Sequence, residues 1–315
     1  MSFSSEVKKE LSKIDADNCC IKAELYGIIR YKAAIKLSQA GLGFEVVTTS
    51  NVVARRIVQL FKKVYNSEID ILAAKRTKLD YKTKYIININ KNCYDILKDL
   101  KIMNDDYSLN EQLNFELLKK DCCKSALVRG LFLAQGSVND PESDNYHLEL
   151  TLNHEEDIKY ITKILSSVNI NLKVIERSKG YVLYLKKSDQ IGDLLNYIGA
   201  VNCLFQFEDK RIKKDYNNYV NRIINCDIAN EQKAMQTAKT QLENIKFLTE
   251  NQGLVNITQR LTDAILLRTT YPDYSLSELS SVSEEVIGKY VTKSGLSHCF
   301  KDIAKLCDEI NGKKS

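Results

Sequence analysis

With 315 residues the chain is long enough for two or three domains, and 44% hydrophobic with 28% charged residues is a globular composition. No apolar run reaches the length of a membrane span, and the opening MSFSSEVKKELSKI is charged and amphipathic, so neither a membrane partner nor a secretory signal is expected. The net charge of +5 is uneven: residues 1–120 hold 21 Lys/Arg against 15 Asp/Glu and the remainder 25 against 26, which points to a polyanion partner for the N-terminal third.

The nine cysteines are an odd number and none lies in a C-x-x-C pair. Cys19-Cys20 and Cys122-Cys123 are adjacent in sequence, a spacing that suits neither a metal site nor a simple disulfide. Reduced thiols in a cytoplasm are the expectation. With only three histidines a histidine-rich zinc site is not expected; no metal and no cofactor are expected.

In chain order, AELYGIIRYKAAI (23–35) reads as an apolar helix with a glycine mid-way, and ALVRGLFLAQGSV (126–138) repeats it, Gly27 and Gly130 standing 103 residues apart. The segments downstream of the two helices correspond too. FEVVTTSN (44–51) and YHLELTLN (146–153) alternate as strands do, and VVARRIVQLFKKVYN (52–66) and EEDIKYITKILSSVN (155–169) have helical periodicity. SEIDILA with TKYIININ, and NLKVIER with YVLYLKK, read as hairpins. CYDILKDL and SDQIGDLLNYI close each unit as short helices. The order αββαββα, performed twice, predicts two antiparallel sheets with helices on one side of each. A mid-helix glycine costs about 1 kcal/mol relative to alanine. Close approach of the two leading helices at a pseudo-twofold axis compensates for that cost, because a missing Cβ lets backbones meet.

Two glycine-bearing helices leading two such units resemble the LAGLIDADG homing-endonuclease fold. In that family the eighth motif position is an acid that binds a divalent metal near the scissile phosphate. Aligned on the glycines, the eighth positions here are Lys32 and Gln135, a cation and a neutral amide. Neither suits Mg²⁺, which takes hard oxygen ligands. The resemblance therefore implies a lapsed active site and no catalytic residue. Asp140, Glu142 and Asp144 read as a solvated acidic turn rather than as replacement ligands. Residues 55–84 carry Arg55, Arg56, Lys62, Lys63, Lys75, Arg76, Lys78, Lys82 and Lys84 against Glu68, Asp70 and Asp80. Lys75, Arg76, Lys78, Lys82 and Lys84, around the hairpin turn, are secondary candidates for phosphate contact, with a merely soluble surface as the equal alternative.

Beyond residue 205 the pattern is helical. A basic, Asn- and Tyr-rich connector leads to a long helix over about 227–250, and ITQRLTDAILLRTTYP gives another that Pro272 closes. SLSE (275–278) has the spacing of a capping box, Gly288 that of a C-cap, and Thr292 that of the next N-cap. The last helix places Leu296, Phe300, Ile303, Cys307 and Ile310 on one face and Lys293, Ser294, Ser297, His298, Lys301 and Lys305 on the other. This is helix-turn-helix spacing, and those polar residues are the candidates for contact with double-stranded DNA. Against strong independent binding, residues 251–315 sum to zero charge.

The two halves together resemble the WhiA family, on SFSSEVKKEL (2–11), RGLFLAQGSV (129–138), NRIINCDIAN (221–230), SLSELS (275–280) and TKSGLSH (292–298). The fold class implied is α+β: an N-terminal duplicated αββαββα LAGLIDADG-like saddle followed by an all-α helix-turn-helix domain. The expected segments are 1–115 and 116–205 for the repeats, 206–252 for a connector and linker helix, and 253–315 for the helix-turn-helix domain, its DNA-binding part at about 275–308. The resemblance implies a non-catalytic, cytoplasmic, nucleoid-associated DNA-binding protein of cell division, chromosome segregation and sporulation gene regulation. A structural adaptor of the division machinery is the alternative, and a metal-dependent nuclease a third. The chain departs from the family pattern twice: IGKYV lacks the prolines of relatives in the turn, and Cys299-Phe300 stand where basic residues are common, which would weaken DNA contacts.

Overall fold

A computed structural model describes residues 2–38, 41–66, 69–74, 83–178, 180–251 and 257–312. A short helix α1 (Phe3–Leu11) buries Phe3, Val7 and Leu11, the apolar stripe of its amphipathic sequence. Then come α2 (Asn18–Lys32), β1 (Ala33–Ser38), β2 (Gly41–Thr48), α3 (Asn51–Tyr65), β3 (Asp70–Ala74), β4 (Lys84–Ile89) and α4 (Cys93–Asp99). The same order returns as α5 (Asp121–Gln135), β5 (Gly136–Val138), β6 (Leu148–Leu152), α6 (Glu155–Ser166), β7 (Lys173–Arg177), β8 (Gly180–Leu185) and α7 (Ser188–Ile198). The chain continues as α8 (Val201–Asn251), α9 (Gln259–Thr270), α10 (Leu276–Ile287) and α11 (Lys293–Gly312).

The fold class is the expected one, with two antiparallel sheets of identical topology, β1-β2-β4-β3 and β5-β6-β8-β7. Alternation sets their faces. Phe44, Val46, Ile87 and Ile89 turn inward in the first sheet, and Leu148, Leu150, Leu183 and Leu185 in the second. Both inner faces meet the helices in a single core that the two repeats share.

At its centre α2 packs on α5. Gly27 and Gly130 sit at the contact: a Cβ on Gly27 would fall 2.7 Å from the Leu127 carbonyl oxygen, and one on Gly130 closer still to the Glu24 carbonyl. The glycines thus serve the close approach predicted for them.

Two boundaries differ from the sequence reading. The leading helices stop at Lys32 and Gln135, and the next residues, Ala33 and Gly136, are already extended (ψ 144° and 148°). Ala33–Ile35 and Gly136–Val138 are strand because each pairs with an inward-facing neighbour, Ile35 with Phe44 and Val138 with Leu148. The connector before residue 227 is also not irregular but part of α8. Residues 201–251 contain neither Gly nor Pro, so nothing local interrupts a helix once it has started.

The molecule divides between Lys214 and Asp215 into two compact units. In the first, Glu10 of α1 caps the start of α8, accepting from the Asn202 amide at 2.7 Å and the Cys203 amide at 2.8 Å. The second has its own core, drawn from Ile245 and Leu248 of α8 together with α9, α10 and α11.

Candidate nucleic-acid interface

In the second unit the local sequence builds the interface. The Ser275 hydroxyl accepts from the Glu278 amide at 3.3 Å while the Glu278 carboxylate accepts from the Ser275 amide at 2.7 Å, the reciprocal pair that starts α10. Gly288, at φ 70°, ends it. Thr292 starts α11, its hydroxyl accepting from the Gly295 amide at 3.1 Å. Between the helices, IGKYV is held without proline. The Ser283 hydroxyl accepts from the Val291 amide at 2.9 Å, and the Ser280 hydroxyl donates to the Val291 carbonyl at 2.7 Å. Buried Arg268 closes the other side of α9, donating to the carbonyls of Tyr271, Pro272 and Tyr274.

Leu296, Ile303 and Cys307 of α11 are buried in this core. So are Cys299 and Phe300, at 1% and 5% exposure: Phe300 lies on the core face expected for it, with the Arg268 guanidinium over its ring, and the departure from basic residues at this pair concerns packing positions. On the opposite face Lys293, Ser294, His298, Lys301 and Lys305 are exposed and Ser297 is half-buried. Spacings of three and four residues along 294, 298, 301 and 305 keep them on one side. Asp302, the single acid of this stretch, is held by Arg260 of α9. Among the described residues, Lys293, Lys301 and Lys305 have no ion-pair partner. Their three positive charges are free for an outside anion.

In the first unit, Lys32 and Gln135 end the two paired helices. Lys32 is exposed. The Gln135 amide donates to the Tyr31 carbonyl of the opposite helix, so it ties the pair together. Lys8 of α1 lies over the Phe132 ring at 5.8 Å, and burial, then the nearby Lys32 charge, push its pKa down to about 8. This end of the helix pair thus carries two lysines, Lys8 and Lys32. Asp140 and Glu142 face Lys210 at 3.4 and 3.6 Å, and Lys214 donates to the Ser143 carbonyl, which anchors the acidic turn to α8.

Of the basic residues around the first hairpin, Lys75, Arg76, Lys78 and Lys82 lie outside the described residues; Lys84 is half-buried at the start of β4. Arg56 and Lys63 are occupied. Arg56 grips buried Glu24 at 2.8 and 3.0 Å, and Lys63 pairs with Asp15 at 2.6 Å.

Three family models cover most of the chain: a WhiA N-terminal LAGLIDADG-like domain over residues 18–103, a WhiA LAGLIDADG-like domain over 124–217, and a WhiA C-terminal HTH domain over 220–307. The probable cell division protein WhiA of Bacillus cytotoxicus is 39% identical over 98% of this chain and 97% of its own. This chain belongs to the WhiA family. The namesake of Bacillus subtilis strain 168 is 38% identical over the same shares. The fold of full-length DUF199/WhiA from Thermatoga maritima matches at a TM-score of 0.60 and 24% identity, over 98% of this chain and 99% of that one.

Two groupings of this WhiA-family chain were not foreseen from its sequence. Glu24 of α2 takes both Arg56 of α3 and Arg129 of α5, the latter at 2.9 Å, in a buried triad across the repeats. Arg30 of α2 reaches buried Asp157 of α6 at 2.8 Å, again from one repeat to the other. A mid-helix Glu in an apolar run is the signal for such a triad, since an unpaired carboxylate is too costly to bury. The other grouping is of cysteines. The sulfurs of Cys19, Cys20, Cys122 and Cys123 lie within 4.8 Å of one another, a convergence that their adjacent spacing did not suggest. Their shared offset of 103 residues, the same as that of the glycines, is the signal that goes with it.

Proposed function

We propose that the chain is a non-catalytic protein that binds double-stranded DNA through α11 and acts in cell division, with chromosome segregation and sporulation gene regulation as its finer roles. One observation carries this reading. A capped helix-turn-helix presents Lys293, Lys301 and Lys305, without ion-pair partners among the described residues, beside Ser294, Ser297 and His298, on the face opposite its core. Lysines there suit phosphates, and the short polar side chains suit base edges in the major groove. Membership of a family whose relatives are named probable cell division proteins supports the cellular role. A cation at Lys32 and an engaged amide at Gln135 speak against metal-dependent hydrolysis. The adaptor reading draws on Leu72 and Ile175, apolar residues exposed on the edge strands β3 and β7.

Binding to double-stranded DNA at several salt concentrations tests the proposal. Lys293→Ala/Lys301→Ala is expected to weaken binding and to lower the slope of log K against log salt by about two units, one per phosphate contact. Lys75→Ala/Arg76→Ala is expected to change both less. The opposite ranking would move the DNA site to the first unit, and no binding by the intact chain would favour the adaptor.

A further inference from the structure

The paired helices carry chemistry at the end remote from Lys32 and Gln135. Cys19 and Cys20 are the second and third residues of α2, and Cys122 and Cys123 hold the same places in α5. The pseudo-twofold that joins Gly27 to Gly130 therefore brings two thiols from each repeat to one point. The four sulfurs lie within 4.8 Å of one another, at 4.0 Å within each adjacent pair. A tetrahedral zinc thiolate, with bonds of about 2.3 Å, sets its sulfurs about 3.8 Å apart. The cluster is thus close to the edges of that tetrahedron. Two disulfides would instead need two sulfur pairs at about 2.0 Å and leave the other four apart.

The cluster sits where both helices begin. First-turn amides of both helices, with the positive ends of their dipoles, lie at the cluster. The Asp17 side chain, at the N-cap of α2, does not accept from those amides. Cys20 and Cys123 are buried, whereas Cys19 is half-buried and Cys122 exposed. A cavity of about 690 Å³ lined by Cys20 and Cys122 opens beside them, so an ion can enter from solvent.

We infer that Cys19, Cys20, Cys122 and Cys123 form a structural zinc site that clamps the N-terminal ends of α2 and α5. On binding, each thiol releases its proton to solvent and donates a sulfur lone pair to the ion; nothing is oxidised or reduced. Four protein ligands leave no open coordination position, so the ion supports the fold rather than a reaction. The inference does not depend on the DNA-binding reading.

The test uses the full chain, expressed with zinc, kept under reductant and freed of loose metal by gel filtration. Elemental analysis is expected to find about one zinc per chain. Cys19→Ser/Cys122→Ser is expected to lose it and Cys226→Ser, at an exposed cysteine on α8, to keep it. Cobalt in place of zinc is expected to show the charge-transfer and ligand-field bands of a tetrahedral thiolate site. A chelator is expected to lower the melting temperature of the wild-type chain and to leave that of the double variant unchanged. Less than about a tenth of an equivalent of zinc in the wild-type chain would overturn the inference, whether or not the variant folds. So would an inter-repeat disulfide that persists under reductant, or a double variant that retains its zinc.

Discussion

Lys8 shows how one residue can register the change at the foot of the leading helices. Its ammonium is half-buried over Phe132 and feels Lys32, and its pKa is about 8 against an ordinary lysine value of 10.5. The folded value is the lower one, so between the two the unfolded chain holds the extra proton. The stability linked to this residue therefore rises as pH climbs from about 8 towards 10.5. Lys8→Met is expected to melt higher than the wild-type chain near pH ~7, with the gap shrinking by pH ~10. Thermal melts at the two pH values check this, and equal gaps would remove the argument. The Glu24 triad works in the other direction: two guanidiniums on one buried carboxylate leave an uncompensated charge if Glu24 is lost, at a cost of about 3–5 kcal/mol. A mid-helix Glu in an apolar run signals that Glu24 needs a cation, but the partners in either arrangement are not legible in a single sequence, because each joins residues of elements far apart in the chain.

Among the elements, legibility in the sequence comes from local pattern. The double αββαββα order is readable because the glycine offset aligns two stretches whose alternation then agrees, strand for strand. The capping box at Ser275 and the cap at Thr292 are readable because a cap is a bond between near neighbours. The end of α2 at Lys32 is not, since Tyr-Lys-Ala-Ala-Ile contains no Gly or Pro and only the pairing of β1 with β2 makes it turn. Likewise Cys299 takes a core position that only the packing of α9 and α10 on α11 assigns, whereas that of Phe300 follows from the apolar stripe. The helix pair offers a graded test. Gly130→Ala places its methyl against the Glu24 carbonyl, closer than the Gly27→Ala methyl comes to Leu127. Both are expected to destabilise, Gly130→Ala the more, within the ~1–3 kcal/mol typical of overpacking. Urea denaturation measures this, and a Gly130→Ala chain as stable as wild type would mean the helices do not meet there.

At the scale of the molecule, the division between Lys214 and Asp215 separates two cores. A fragment of residues 215–315 carries its whole core from Ile245 to Cys307 and is expected to melt cooperatively by circular dichroism. A broad, non-cooperative transition would show that it needs the first unit. The two repeats admit no such cut, because Arg30–Asp157 and Arg129–Glu24 cross between them.

The helix pair in that shared core has unlike ends. Cys19-Cys20 and Cys122-Cys123 match across the twofold, whereas Lys32 and Gln135 do not. Mutational costs add when sites share no partner and fail to add when they do. At the thiol end four side chains that share one zinc would share a partner, so losing a second cysteine is expected to cost less than losing the first, even when the two belong to different repeats. At the other end exposed Lys32 couples to Lys8 of α1 and not to Gln135 of the second repeat, whose amide donates to the Tyr31 carbonyl. The same two helices are therefore matched across the duplication at one end and unmatched at the other.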